Sequence, residues 1–221
     1  GCFVPLASLR LLGVESLLAV LGLACCVCAW WMSSTRALRI ASISTTLACA
    51  VAALVAPHLM PFSPDPRDLL GLATASYVRT HPDAPPSFRP ARDYQAWDPV
   101  SRVEVWTFPG DFGTLNGRVP IKLVTQDGGA GTILIAFGPS PQNPIARSAW
   151  ADHSVYGTGY FVSPKPRRVL VIGLGGGVDV VTALHHGAQD VTGVEINGSI
   201  VDVSKNAFRE FQSGVLSRPD V

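Results

Sequence analysis

The run from Arg168 to Phe208, RVLVIGLGGGVDVVTALHHGAQDVTGVEINGSIVDVSKNAF, leaves the chain little choice of local structure. Val169, Leu170, Val171 and Ile172 form an unbroken aliphatic run, the pattern of a strand buried on both faces of a parallel sheet. It stops at Gly173-Leu174-Gly175-Gly176-Gly177, where residues lacking a Cβ permit a tight turn and a close approach of backbone to ligand. Asp179 opens a helical pattern in which Val180, Val181, Ala183 and Leu184 are apolar, and Gly187 stands where that helix ends. A second strand follows from Asp190 to Ile196, with Glu195 at its carboxyl end, twenty-two residues after Gly173. In an open α/β sheet that end faces the ligand crevice, and an acid about 20 residues past the glycine turn accepts hydrogen bonds from ribose hydroxyls. The run predicts a nucleoside-binding half-site made by Gly173, Gly175, Gly176, Gly177 and Glu195. Asp179 is a further candidate, with simple complementation of the helix dipole as its alternative role.

Glycine spacing narrows the ligand. The dinucleotide fingerprint G-x-G-x-x-G needs glycine at position 178, which is Val178; the pattern present is G-x-G-x-G at 173, 175 and 177. This resembles motif I of the class I S-adenosylmethionine-dependent transferases. Val171 stands where many methyltransferases carry an acid, and the hydrophobic VLVIG is similar to that of the spermidine synthases, especially their membrane-fused relatives. The resemblance runs from about Trp97 to Val221. It implies an α/β fold with a truncated Rossmann-like, class I methyltransferase-type parallel sheet, preceded by a small antiparallel β subdomain. It also implies decarboxylated S-adenosylmethionine or S-adenosylmethionine as co-substrate, an amine such as putrescine as acceptor, and neither a prosthetic group nor a metal. Methyl transfer, and a non-catalytic membrane protein that keeps the nucleotide-binding fold, are the alternatives.

SRVEVW and IKLVTQDGGAGTILI resemble the strand pair carrying an L-D-G turn in that family, so Asp127 and Gly128 match by position; a plain hairpin turn is the alternative for Asp127. The sequence departs from the family at Ser101-Arg102, where a Gln is usual, and at Trp150-Ala151-Asp152-His153, where a Tyr-His-Glu or Tyr-Gln-Glu cluster is usual. It departs again at Gly176, where GGGDGG has Asp. The family's catalytic base and adenine-holding residues lie beyond the point matching Val221, so no catalytic residue is assigned. The sheet is expected to be cut off after its second strand, and residues before Gly1 are expected to be missing.

A mean hydropathy of +0.30 has a local source. Residues 1–62 carry only Arg10, Glu15, Arg36 and Arg39 as charged side chains. Ser16 to Met32, extended through Leu11 to Glu15, and Ile40 to Met60 each match the length needed to cross about 30 Å of hydrocarbon as a helix. A transmembrane helical hairpin is predicted over 1–62, with Trp30 and Trp31 in the interfacial belt and Arg36 and Arg39 in the loop. The lipid bilayer is then a partner, and the adenosyl ligand places the remaining chain in the cytoplasm. The five cysteines, all in or beside these apolar segments, read as packing residues rather than metal ligands.

A Pro-rich linker is expected over 63–96, interrupted by a short helix at the membrane surface from Asp68 to Thr80. A β-rich subdomain over 97–163 and the nucleotide-binding part over 164–221 complete the plan. Adjacent Asp152 and His153 point to opposite faces of an extended chain and so do not act on one proton together. Tyr156 and Tyr160 read as packing beneath the glycine turn, and His185 and His186 as favouring the helix dipole. A net charge of +1 gives no sign of a nucleic-acid partner.

Overall fold

The computed structural model describes residues 3–59, 68–115, 119–137 and 154–221, with the backbone alone for 3–15, 18–19, 52–54, 56–59 and 115. The chain divides into two compact units, Gly1–Ser63 and Pro64–Val221.

The first unit pairs helix α1 (Phe3–Met32) with helix α2 (Arg36–Leu59). Their connection is fixed by polar bonds: Arg39 Nε donates to the Ser33 carbonyl at 3.1 Å, and the Arg39 amide to the Thr35 carbonyl at 3.2 Å. Gly22 faces Cys49 across the pair, where a Cβ would make ordinary contact with Cys49 Sγ at 3.6 Å. The expected transmembrane hairpin is corrected: among the described residues no helix is long and apolar enough to cross a membrane. Glu15 interrupts α1, leaving Ser16 to Met32, about 25 Å of helix, against a hydrocarbon core of about 30 Å. Arg36 and Arg39 open α2, Ser42, Ser44, Thr45 and Thr46 dilute its apolar run, and Pro57 and His58 close it. The integral-membrane localisation with a cytoplasmic remainder, which rested on the hairpin, is overturned with it.

The second unit is built on an antiparallel sheet of β1 (Ala91–Trp97), β2 (Arg102–Thr107), β3 (Thr114–Leu115), β4 (Val119–Gln126) and β5 (Ala130–Ile135). The order is β1-β2-β4-β3, with β5 also paired to β4. The β4–β5 turn uses left-handed backbone at Asp127 (φ 51°) and Gly128 (φ 79°). Asp127 Oδ1 accepts the Arg102 amide at 2.8 Å, tying this turn to the start of β2. Strand alternation divides β2 between two layers. Val103 and Val105 pack with Val124, Leu134, Ile200 and Val203, while Trp106 joins Leu70, Tyr77 and Phe108 on the other face. Glu104 is fully buried and ion-paired to Arg102 and Arg92, each at 3.0 Å.

Helix α3 (Leu69–Thr80) corrects the expected membrane-surface helix. Its buried side chains, Leu70 and Tyr77, are spent on the sheet, and Ala84 and Phe88 from the proline-rich stretch pack beside them.

Strand β6 (Arg168–Ile172), helix α5 (Val178–His185) and strand β7 (Asp190–Val194) form a parallel βαβ unit, in register from Arg168 opposite Asp190 to Ile172 opposite Val194. Helix α4 (Thr158–Val162) precedes it. Helix α5 covers one face, where Val171 and Val191 meet Val180, Val181, Ala183 and Leu184. On the other face Leu170, Ile172, Val194 and Ile196 are 61%, 81%, 50% and 84% exposed. The expected Rossmann-like sheet is corrected as well: the parallel sheet has two strands, and no extended one exists among the described residues. After β7 the Asn197 side chain accepts the Ser199 amide and starts helix α6 (Gly198–Asp202), which a π turn (Val203–Ala207) prolongs. That segment packs Ile200 and Val203 on the antiparallel sheet.

Candidate functional site

The turn after β6 needs glycine for its backbone: φ is +82° at Gly173, +51° at Gly175 and +81° at Gly177. It folds onto the end of β7, the Val194 carbonyl accepting the Gly173 amide at 2.8 Å and the Leu174 amide at 3.2 Å. Glu195, the next residue, is half-buried and turns back to the same place. Its Oε2 accepts the Gly175 amide at 3.1 Å and its Oε1 the Asn197 amide at 3.0 Å. The two strand tips named from the sequence thus meet.

The four glycines have different surroundings. A Cβ at Gly173 would meet nothing within 4 Å, so this residue borders open space. At Gly175 it would lie 3.2 Å from Thr132 Oγ1, at Gly176 1.9 Å from the Ile133 carbonyl oxygen, and at Gly177 3.1 Å from the Leu216 methyls. Those three glycines serve close packing of the turn against β5 and the carboxyl-terminal segment.

Asp179 stands in the first turn of α5 beside Tyr160 of α4. Burial raises its carboxyl above the ordinary carboxylate range, and burial followed by the Asp179 charge raises the Tyr160 hydroxyl. The Tyr160 ring also stacks on His186, 4.3 Å between centroids. The structure therefore groups Asp179 with Tyr160 rather than bonding it to Glu195. Asp152 and His153 lie outside the described residues.

Four further residues complete the site. Thr132 Oγ1 accepts the Gly176 amide at 3.3 Å, and Ser204 and Gln212 donate to the turn's carbonyls. Asn197 is fully buried, and its Nδ2 donates to Ser101 Oγ at 2.9 Å and to Gln126 Oε1 at 3.2 Å. An asparagine before a helix signals an N-cap, but its partners are some 70 to 100 residues away in sequence.

Chemically, the site is an acceptor. An ionised carboxylate has about four lone-pair positions, and Glu195 uses two on backbone amides, so both oxygens retain capacity for hydroxyl donors. The Gly175 and Gly176 amides are already taken by a carboxylate and a hydroxyl, an arrangement unsuited to cradling a phosphate. A cleft of about 470 Å³ at the opposite ends of the parallel strands is lined by Arg167, Arg168, Gln189 and Asp190. Among the described residues no cluster of three or more His, Cys, Asp or Glu has metal-holding geometry. No protein-family model matches this sequence, and no curated protein matches it.

Proposed function

We propose that Glu195, beside the Gly173–Gly177 turn, holds the ribose of an adenosyl co-substrate. On this reading the chain is a transferase that moves an aminopropyl group from decarboxylated S-adenosylmethionine to a primary amine such as putrescine. The observation that carries the reading is the contact of Glu195 Oε2 with the Gly175 amide at 3.1 Å, which puts a carboxylate with spare acceptor capacity beside the open Cα of Gly173. A sugar diol satisfies such a carboxylate; a dinucleotide pyrophosphate finds it repulsive.

In the proposed reaction the amine nitrogen attacks the carbon next to the sulfonium. A C–N bond forms, a C–S bond breaks with its electron pair left on sulfur, and methylthioadenosine leaves as a neutral thioether. The proton lost by the amine goes to a base that no residue here is assigned to supply.

Titration calorimetry of the full chain with decarboxylated S-adenosylmethionine, beside Glu195→Gln, tests the site. The variant is expected to bind about 1 to 3 kcal/mol more weakly, the range for a hydrogen bond to a charged group. Equal affinity removes Glu195 from the site. Mass spectrometry of the products tests the reaction: methylthioadenosine formed with putrescine supports it, S-adenosylhomocysteine replaces it with methyl transfer, and binding without product overturns transfer altogether.

A further inference from the structure

A glycine-rich turn has little intrinsic preference for the direction of its peptide planes, because residues without a Cβ occupy positive and negative φ about equally. Something else must choose the orientation found here. Three successive planes are each hydrogen-bonded at both ends. In the Leu174–Gly175 peptide the carbonyl accepts the Gly177 amide at 2.9 Å and the Gly175 N–H reaches Glu195 Oε2 at 3.1 Å. In the Gly175–Gly176 peptide the carbonyl accepts Ser204 Oγ–H at 3.3 Å, and the N–H reaches Thr132 Oγ1 at 3.3 Å. In the Gly176–Gly177 peptide the carbonyl accepts Gln212 Nε2–H at 2.6 Å, and the N–H reaches the Leu174 carbonyl.

Two of these bonds come from the segment after α6. Ser204 is buried and belongs to the π turn, a local widening that often accompanies functional positions. Gln212 is fully buried, and its Oε1 has no hydrogen-bond partner among the described residues. The amide cannot simply be reversed, since that would set Oε1 against the Gly176 carbonyl oxygen. A buried acceptor left unmatched costs about 1 to 3 kcal/mol, so a glutamine here is a poor choice for stability alone. Its return is the donor that Gly176 requires.

We propose that Ser204 and Gln212 are positioning residues: Gln212 fixes the Gly176–Gly177 plane, whose N–H holds the Leu174 carbonyl and with it aims the Gly175 N–H at Glu195, while Ser204 fixes the intervening Gly175–Gly176 plane, and together they hold that carboxylate toward the ribose. This rests on the adenosyl reading of the site. Neither residue touches the ligand in this scheme; both act through the turn.

The test uses the full chain with Gln212→Met, an apolar side chain of similar length, and Ser204→Ala. Two quantities are measured, the affinity for decarboxylated S-adenosylmethionine and the hydrogen-exchange rates of the Gly175 and Gly176 amides by NMR. Each variant is expected to bind about tenfold more weakly and to exchange those two amides about tenfold faster, with α5 amides unchanged. Because Gln212→Met removes the unmatched acceptor along with the donor, its melting temperature is expected to stay within about 4 °C of the parent. Wild-type exchange rates at Gly175 and Gly176 in both variants overturn the proposal. If the parent binds no adenosyl ligand, the adenosyl reading fails by itself, and the exchange rates still decide whether the two side chains orient the turn. Should Gln212→Met not fold, Ser204→Ala alone decides, its exchange rates being required to rise at the same two amides. Uniformly faster exchange across the unit marks a general stability role and overturns positioning.

Discussion

Asp179 occupies the first turn of α5, where a negative charge ordinarily complements the helix dipole, yet burial prevails and raises its carboxyl above the usual 3.8. Between 3.8 and the raised value the folded chain holds more protons than the unfolded chain at this residue, so stability falls as pH rises through that window. Above it the full cost of a desolvated charge remains. Asp179→Asn is therefore expected to raise the urea midpoint at about pH 7, and to give little gain at about pH 3.5, where the folded carboxyl is protonated and the unfolded one is mostly so. A gain of equal size at both pH values rules out burial of the charge as the cause. The removal of that charge is also expected to lower the Tyr160 hydroxyl's pKa, since Asp179 is one of the two influences raising it.

At the scale of the element, the glycine turn combines two demands that a single substitution separates. Gly173 needs its positive φ but has room, so Gly173→Ala is expected to cost about 1 to 2 kcal/mol, the strain of a left-handed residue with a Cβ. Gly176 has an ordinary φ but no room: the added methyl would sit 1.9 Å from the Ile133 carbonyl oxygen, which is backbone and cannot rotate away. Gly176→Ala is expected to cost about 3 kcal/mol or more, at the upper end for overpacking. Chemical denaturation of both variants checks the order, and a larger loss at 173 contradicts it. The two positions also mark what could be read in advance. Strands β6 and β7, the intervening turn and α5 were legible because their signals are local: an aliphatic run, then glycines, then a 3.6-residue period. Ile133, Thr132, Ser204 and Gln212 were not, because what makes them part of the site is a contact across about 30 to 45 residues that no local pattern encodes. Strand β1 was hidden for another reason: ARDYQAW follows a proline-rich stretch and mixes charge with aromatics, and its pairing with β2 supplies the order its own composition does not suggest.

For the molecule as a whole, the informative contrast is between an isoleucine that joins the layers of the second unit and one that joins nothing. Ile200 is 1% exposed between α6 and the antiparallel sheet, whereas Ile172 is 81% exposed on the open face of β6. Ile200→Ala is expected to cost about 2 to 5 kcal/mol, and Ile172→Ala less than about 0.5 kcal/mol. Urea denaturation followed by circular dichroism reads both, and comparable losses refute the one-sided packing of the parallel strands. The periodicity of VLVI could not distinguish these cases. An aliphatic run marks a strand but says nothing of how many helical layers cover it, and here α5 is the only layer on β6 and β7 among the described residues. The bare side of β6 and β7 carries a thermal consequence. Its aliphatic groups are hydrated before melting begins, so they add no newly wetted surface when the unit opens, and the heat-capacity step is smaller than chain length alone implies.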